Sequence, residues 1–286
     1  MQYNNLNMKK TYIFISVFFI SIWTGFSQDL SESKNSDFNY LPVYPLNQIT
    51  TSGTGIANIP TAQSVPKATM ILSLFTAQTL SLQNSYSKNQ TRAEICLAVI
   101  PLLELSGTFG FETGAESLAT AFSFAAKSTT ALSLSEKARL CLGASFRYSG
   151  LAKKDKNQIY VPSNNENGLG IAVLTGIQTK NTFSGFTSQC IFSPKGTDSF
   201  SDSILLKNSL AFAFTPKETS SFNLFGTLNS LLKPNAKWLK SAETGIETSF
   251  LTSKKTLRTT LGVAAVYFIE ESTMNLEGHI SVAYLF

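Results

Sequence analysis

Apolar and polar residues alternate with a period of two along most of the chain. The alternation is clearest at the C-terminus, where each parity has its own character. The apolar parity consists of Ile280, Val282, Tyr284 and Phe286, and the other parity consists of Glu277, His279, Ser281 and Ala283. Because successive side chains of a β-strand point to opposite faces, this pattern over about ten residues is typical of a membrane-spanning strand.

Twelve segments show this alternation, and in those near 103–112, 138–148 and 256–268 the charge falls on one parity only. They lie near residues 68–78, 92–100, 103–112, 117–126, 138–148, 170–179, 182–192, 203–215, 220–229, 240–250, 256–268 and 276–286. Bacterial single-chain barrels have an even number of antiparallel strands. The pattern therefore predicts an all-β protein, an antiparallel transmembrane β-barrel of about 12 strands over residues 67–286.

The lengths of the connections give a partial check on this count. Short connections at 101–102, 180–181, 216–219 and 253–255 mostly alternate with longer ones at 149–169, 193–202, 230–239 and 269–275. Two connections break the alternation, a short one at 113–116 and a long one at 127–137. We therefore expect an error in the count or in a strand boundary at one of these two connections.

The composition favours a membrane barrel over its main competitor, a soluble β-sandwich. Charged residues make up 14% of the chain and aromatic residues 12%, with 22 Phe, as suits a wall that faces lipid outside and a polar lumen inside. A sandwich alternates in the same way, but its solvent face normally carries more charge than segments 117–126 and 170–179 show.

The N-terminus has the features of a secretory signal peptide. Lys9 and Lys10 precede an apolar run over residues 12–23, and the small-residue site ends at Ser27. The run is shorter than the roughly 20 residues of a spanning helix, so we expect cleavage after Ser27 and a signal peptide over residues 1–27. Translation from Met8 would also give a complete signal. No cysteine lies near the site, which argues against lipoprotein processing.

Residues 28–66 show no strong period and contain four prolines, at positions 42, 45, 60 and 66. We expect this segment to lie on the periplasmic side of the barrel or inside its lumen. At the other end of the chain, the last strand with Tyr284 and the terminal Phe286 resembles the signal by which the bacterial assembly machinery recognises outer-membrane barrels. The predicted location is the bacterial outer membrane, with its lipid and that machinery as partners.

The sequence offers no catalytic, cofactor-binding or metal-binding set. His279 is the one histidine, and residues two apart on a strand, such as Glu277 and Ser281, are poorly placed to form a relay with it. Three scattered cysteines do not indicate a disulfide framework. The net charge of +5 comes largely from lysines in loop-like stretches, as at 153–156 and 233–240, so we expect no nucleic-acid partner.

Charged and titratable residues in the strands fall mostly on the inward parity, and both signs are present. The candidate lumen-lining residues are Glu104, Arg139, Arg147, Glu243, Glu247, Arg258 and His279. Such groups either pair into a salt-bridged plug or line a water-filled path. Arg139, Arg147 and Arg258 would then form a basic face for an acidic glycan, or pair structurally with the glutamates.

Three segments together resemble one family. Residues 53–62 (GTGIANIPTA) are similar to the entry segment of the YjbH-type exopolysaccharide-associated outer-membrane proteins. Residues 100–107 (IPLLELSG) look like that family's apolar-Pro-aromatic-Leu-Glu turn, with Leu102 where an aromatic residue is usual, and residues 121–127 (AFSFAAK) resemble its Ser-Phe-x-x-Lys strand. The resemblance covers roughly residues 50–150 and supplies no catalytic residues.

The resemblance implies an accessory role in making, exporting or retaining surface polysaccharide, with acidic polysaccharide or polysaccharide-export proteins as partners. The composition also resembles that of envelope proteins of the Bacteroidetes. Three other hypotheses stay open at this point: a general porin, a scaffold subunit of an envelope secretion or gliding apparatus, and a barrel enzyme.

Overall fold

Twelve strands form the wall of the molecule in a computed structural model. The structure describes residues 48–50, 53–63, 65, 69–83, 87–100, 103–113, 118–153, 168–192, 204–232, 239–252, 254 and 256–286. The wall strands are β4 (Met70–Ser81), β5 (Ser87–Ile100), β6 (Leu103–Thr113), β7 (Leu118–Ser135), β8 (Ala138–Lys153), β9 (Gly168–Thr179), β10 (Thr182–Phe192), β11 (Ile204–Lys217), β12 (Ser220–Leu232), β13 (Leu239–Leu251), β14 (Leu257–Phe268) and β15 (Thr273–Leu285).

Each wall strand pairs antiparallel with its neighbours in sequence, and β15 returns to pair with β4, so that the barrel is closed. Closure leaves no open sheet edge, which is what lipid requires because it offers no hydrogen-bond partner to backbone groups. The prediction of a 12-stranded antiparallel barrel is confirmed. Within the described ranges, no helix is long and apolar enough to cross a bilayer.

One predicted strand boundary was wrong, and correcting it removes the largest break in the alternation of connections. Strand β7 does not end at residue 126 but runs on to Ser135, so the expected long connection at 127–137 is a turn of Glu136 and Lys137. The alternation fades in the second half of β7 because its outward positions include the small polar residues Ser128 and Thr130. At the end of the barrel that holds the C-terminus, four of the five connections now have two residues each, and the exception is 252–256.

The outer face of the wall is apolar. Every wall strand carries large, exposed hydrophobic side chains on its outward parity, among them Phe124, Val173, Leu210 and Val263. Tyr148, Tyr267 and Tyr284 also point outward, as expected for residues near a membrane interface. A surface of this kind is typical of a wall in contact with lipid.

A small antiparallel sheet lies inside the barrel. Its strands are β1 (Gln48–Thr50), β2 (Gly53–Ile56) and β3 (Ile59–Pro60), and their described side chains are buried. Gly53 has a φ of 113°, a conformation that favours glycine, and a Cβ atom there would press on the side chain of Lys127. We call residues 48–50, 53–63 and 65 the plug.

The segment 28–66 is thus described only in its second part, and that part lies in the lumen. The expected signal peptide over residues 1–27 and the new N-terminus at Gln28 lie outside the described residues, as does the turn at 101–102.

A charge placed on the lipid-facing parity should destabilise the barrel. We expect Val263→Arg to lower the free energy of unfolding by roughly 2–4 kcal/mol, since Val263 points outward in the middle of its strand. Urea unfolding of the protein in lipid vesicles measures this change. Glu271→Arg, which adds the same side chain on an exposed turn, should have little effect, and an equal loss in both variants would contradict the assigned orientation of the wall.

The plugged lumen as candidate functional site

A buried ion pair from two neighbouring strands holds the plug by its backbone. Lys127 on β7 is fully buried, and its Nζ lies 3.0 Å from Oε2 of Glu104 on β6. The same ammonium donates to the carbonyl oxygens of Thr54, at 3.0 Å, and Gln63, at 2.7 Å. Glu104 in turn accepts from the backbone N–H of Thr54, at 3.3 Å, and of Val65, at 2.8 Å. Each charge therefore has several partners, as a buried charge requires.

A second attachment comes from the other side of the lumen. Glu247 on β13 accepts a hydrogen bond from the backbone N–H of Ala57 at 3.0 Å, at the turn between β2 and β3. Its other oxygen accepts from Nδ2 of Asn223 at 2.9 Å, and Nε2 of His279 lies 3.4 Å from Oε2. Thr187 on β10 donates to the carbonyl of Pro60 at 2.7 Å. The wall thus binds the plug mainly through main-chain groups.

Apolar contacts complete the seal. The plug residues Ile56, Ala57, Ile59 and Ala62 belong to a buried cluster with side chains from β8, β9, β10, β11, β12 and β14. Ile49 and Val65 belong to a second cluster, with side chains from β4, β5, β13 and β15. Since Glu104 on β6 and Lys127 on β7 also bind the plug, all twelve wall strands contribute side chains that contact it. The plug therefore fills the half of the lumen nearer the C-terminal end of the wall.

The other half of the lumen is polar. Lys88 and Glu112 form an ion pair at 2.6 Å, and Nε2 of Gln90 donates to the same glutamate at 3.2 Å. Lys207 is also buried on the inward face of β11. The side chains here are charged and hydroxylated rather than apolar, in contrast to the sealed half.

Near the turn between β2 and β3 of the plug, a third cluster of charged and aromatic side chains comes from β4, β5 and β15. Nε of Arg92 donates to Oε1 of Glu94 in a buried ion pair, and the Arg92 guanidinium lies 3.8 Å from the centre of the Phe75 ring. The other face of this stack includes His279, whose ring centre is 5.6 Å from that of Phe75. Glu94 and Glu247 also interact electrostatically with the buried Arg258.

All seven predicted lumen-lining residues lie on the inward parity of their strands. Glu104, Arg147, Glu247, Arg258 and His279 are buried, whereas Arg139 and Glu243 are half-buried. The structure brings Glu247 and His279 together, and it brings Glu104 to the plug. At the proposed assembly signal, the rings of Tyr284 and Phe286 are in contact on the outer face, with centres 4.5 Å apart.

The three arginines expected to form one basic face do not lie together. Arg139 and Arg147 are on β8, and Arg258 is on β14, six strands further around a barrel of twelve. Arg258 therefore lies on the wall opposite Arg139 and Arg147. The alternation along one strand predicts that a side chain points into the lumen. It does not predict which strands face each other across the lumen.

Sequence reasoning missed three charged residues that organise the lumen. Lys127 fell outside the predicted strand, which ended at residue 126 instead of at Ser135. Arg92 and Glu94 lie in a predicted segment, and their shared parity with the buried Cys96 and Ala98 was the signal that would have identified them.

In the described part of the chain, no group of three or more histidine, cysteine or acidic side chains is arranged to hold a metal ion. The three cysteines are free thiols there, and Cys96 and Cys141 are buried. Cys96 and Cys141 are small packing residues of the two apolar clusters.

Comparison with known proteins supports the fold. No protein-family model and no curated protein matches the chain. Among solved structures, an outer membrane channel from Pseudomonas putida F1 is similar with a TM-score of 0.56 and 8% sequence identity, over 80% of this chain and 100% of that one. The KdgM porin in complex with oligogalacturonate and the NanC porin each give a TM-score of 0.48, at 11% and 10% identity, over 74% of this chain and 98% of theirs.

At such low identity, the likeness concerns the fold alone. The closed twelve-stranded wall, its apolar exterior and this likeness together establish the fold of an outer-membrane β-barrel.

Removing the ammonium that binds the plug should loosen it. We expect Lys127→Met to destabilise the protein by about 3–5 kcal/mol, because it leaves the carboxylate of Glu104 buried without its ionic partner. Urea unfolding and protease cleavage within residues 48–65 measure the two consequences.

The double variant with Lys127→Met and Glu104→Gln should recover part of that loss, since it leaves no unpaired charge. Lys137→Met, on an exposed turn of the same hairpin, is the matched control and should behave like the wild type. If all three variants keep the plug equally protected, the ion pair does not hold it.

Proposed function

We propose that the protein is an outer-membrane barrel with a plugged lumen and an accessory role in the production or export of surface or exopolysaccharide. The observation that carries the proposal is where the three segments of family resemblance meet. Residues 53–62 form most of the plug, residues 100–107 contain Glu104, and residues 121–127 end on Lys127. These segments are far apart in sequence, yet they build one attachment in the lumen.

The filled lumen argues against a freely open general diffusion porin. A porin needs a continuous water-filled path lined by polar groups. Here Glu104, Lys127 and Glu247 bind the backbone of the plug, and apolar side chains fill the space around it. Acidic polysaccharide and polysaccharide-export proteins are the partners that we propose for the barrel.

A channel is the second candidate. The polar half of the lumen favours it, because Lys88, Glu112 and Lys207 form a charged lining beyond the plug. If the protein is a channel, the plug is displaced when a solute passes. A scaffold subunit of a secretion or gliding apparatus has no observation of its own in its favour.

Conductance of the refolded protein in planar bilayers separates the plugged barrel from the open porin. We expect protein beginning at Gln28 to be nearly silent and a variant lacking residues 48–65 to conduct at least about tenfold more, because the deletion empties the lumen. The heat-modifiable gel shift of each sample verifies that the barrel is closed. Steady conductance of the intact protein would favour the porin.

The accessory role is tested in cells. A deletion strain should lose or alter its surface polysaccharide, and the wild-type gene should restore it. Complementation with Lys127→Met should restore it only in part if the seated plug is needed, whereas Lys137→Met should restore it fully. Unchanged polysaccharide in the deletion strain, with normal levels of other outer-membrane proteins, would contradict the proposed function.

A further inference from the structure

We propose that the outer face of strands β4 and β5 is the interface through which two copies of this protein associate in the membrane. Its centre, which we call the amide patch, consists of Thr76 and Gln78 on β4 and of Asn89 and Thr91 on β5. The inference concerns the lipid-facing side of the wall and is independent of the function proposed for the barrel.

The amide patch interrupts the apolar exterior of the wall. All four of its side chains are exposed on the outward parity, and they form two directly opposed pairs across β4 and β5. On β4, the outward residues before the patch are Leu72 and Leu74 and the one after it is Leu80, and all three are exposed. On β15, the residue in register with Gln78 is Gly278, near the middle of the strand. The patch therefore lies within the part of the wall that meets hydrocarbon.

The two amides of the patch lack hydrogen-bond partners within the described part of the chain. No hydrogen bond there involves the side chain of Gln78 or of Asn89. On the opposite side of the wall, by contrast, the outward amide of Asn208 on β11 accepts a hydrogen bond from the Ser188 hydroxyl at 2.9 Å. A polar group without a partner is costly in hydrocarbon. A second molecule that brings polar groups to the patch removes this cost.

A second copy of the same patch supplies matching groups. A side-chain amide has two N–H donors and a carbonyl acceptor, so two identical patches complement each other. The patch is also neutral, because the charged residues of β5, Lys88, Arg92 and Glu94, are all buried in the lumen. Two copies therefore do not repel each other, and the charged headgroup of a lipid has no ionic partner there. Polar side chains are also the groups through which membrane-spanning segments associate.

The patch has a ridge on one side and a groove on the other. The ridge consists of Phe109 and Phe111 on β6, which are 52% and 47% exposed, with ring centres 5.5 Å apart. The groove has a volume of about 990 Å³ and extends from the patch across the outer face of β15 and β14, where its lining includes Leu261 and Val263. A Cβ atom at Gly278 would meet nothing within 4 Å, so the floor of the groove is open.

A two-fold axis through the patch brings each ridge to the groove of the other copy. Both copies insert in the same orientation, so the axis is parallel to the membrane normal, and the interface is isologous. Since ridge and groove flank the patch on opposite sides, rotation about this axis sets them against each other twice.

The area of this contact indicates a reversible dimer. Burying the exposed half of four phenylalanine rings removes on the order of 300–500 Å² from lipid, and the two grooves lose a similar area. The total of roughly 600–1,000 Å² is below the roughly 1,600 Å² of a standard interface.

Energy transfer between labelled copies in lipid vesicles tests the interface. The full mature protein carries one dye at Lys137→Cys, on an exposed turn, in a Cys190→Ser background. We expect transfer that falls as the protein is diluted with lipid, as in a monomer–dimer equilibrium. The double variant with Gln78→Leu and Asn89→Leu should raise the dissociation constant at least about tenfold, because it removes the hydrogen bonds between the patches.

Phe111→Ala tests the ridge without changing the amides, and it should also weaken association. The matched controls are Asn208→Leu on β11 and Phe186→Ala on β10, which make the same kinds of change on the opposite side of the barrel. Both controls should associate like the wild type. The gel shift on heating verifies the fold of each variant, and Phe111→Ala decides the question if the double variant does not fold.

Transfer that is absent at every ratio of protein to lipid would overturn the proposal and would leave lipid or a different protein as the cover of the patch. Equal association of the wild type and the folded patch and ridge variants would also overturn it, as would equal weakening in the two controls. Because none of these side chains points into the lumen, neither result bears on the function proposed for the barrel.

Discussion

The ion pair between Glu104 and Lys127 is the interaction on which the interior of this barrel depends. Two opposite charges buried on adjacent strands would be costly unless further hydrogen bonds satisfied them. Those bonds come from the backbone of the plug, chiefly at Thr54, Gln63 and Val65. The wall and the plug therefore stabilise each other. Together they form one folded core in the lumen.

The division of the lumen into two halves follows from this core. On the side of the C-terminus, small and apolar inward residues such as Ala213, Leu174 and Cys141 leave space that Ile56 and Ile59 fill. On the other side, no apolar segment from the plug is available, and the inward residues pair among themselves, as Lys88 does with Glu112. The border between the halves is the level of Glu247 and His279, where the turn of the plug is bound.

The sequence alone determined the strand count, the parity of the wall and the inward placement of residues such as Glu104, Arg258 and His279, because the period of two is a local property of any strand. It missed the true end of β7, where small polar residues on the outer face weaken the contrast. Only the tertiary structure decided that the plug meets Glu104 and Lys127, and that Arg147 and Arg258 lie on opposite walls. Those relations arise because closure of the barrel places strands that are distant in sequence opposite each other across the lumen. The alternation along a single strand contains no information about this.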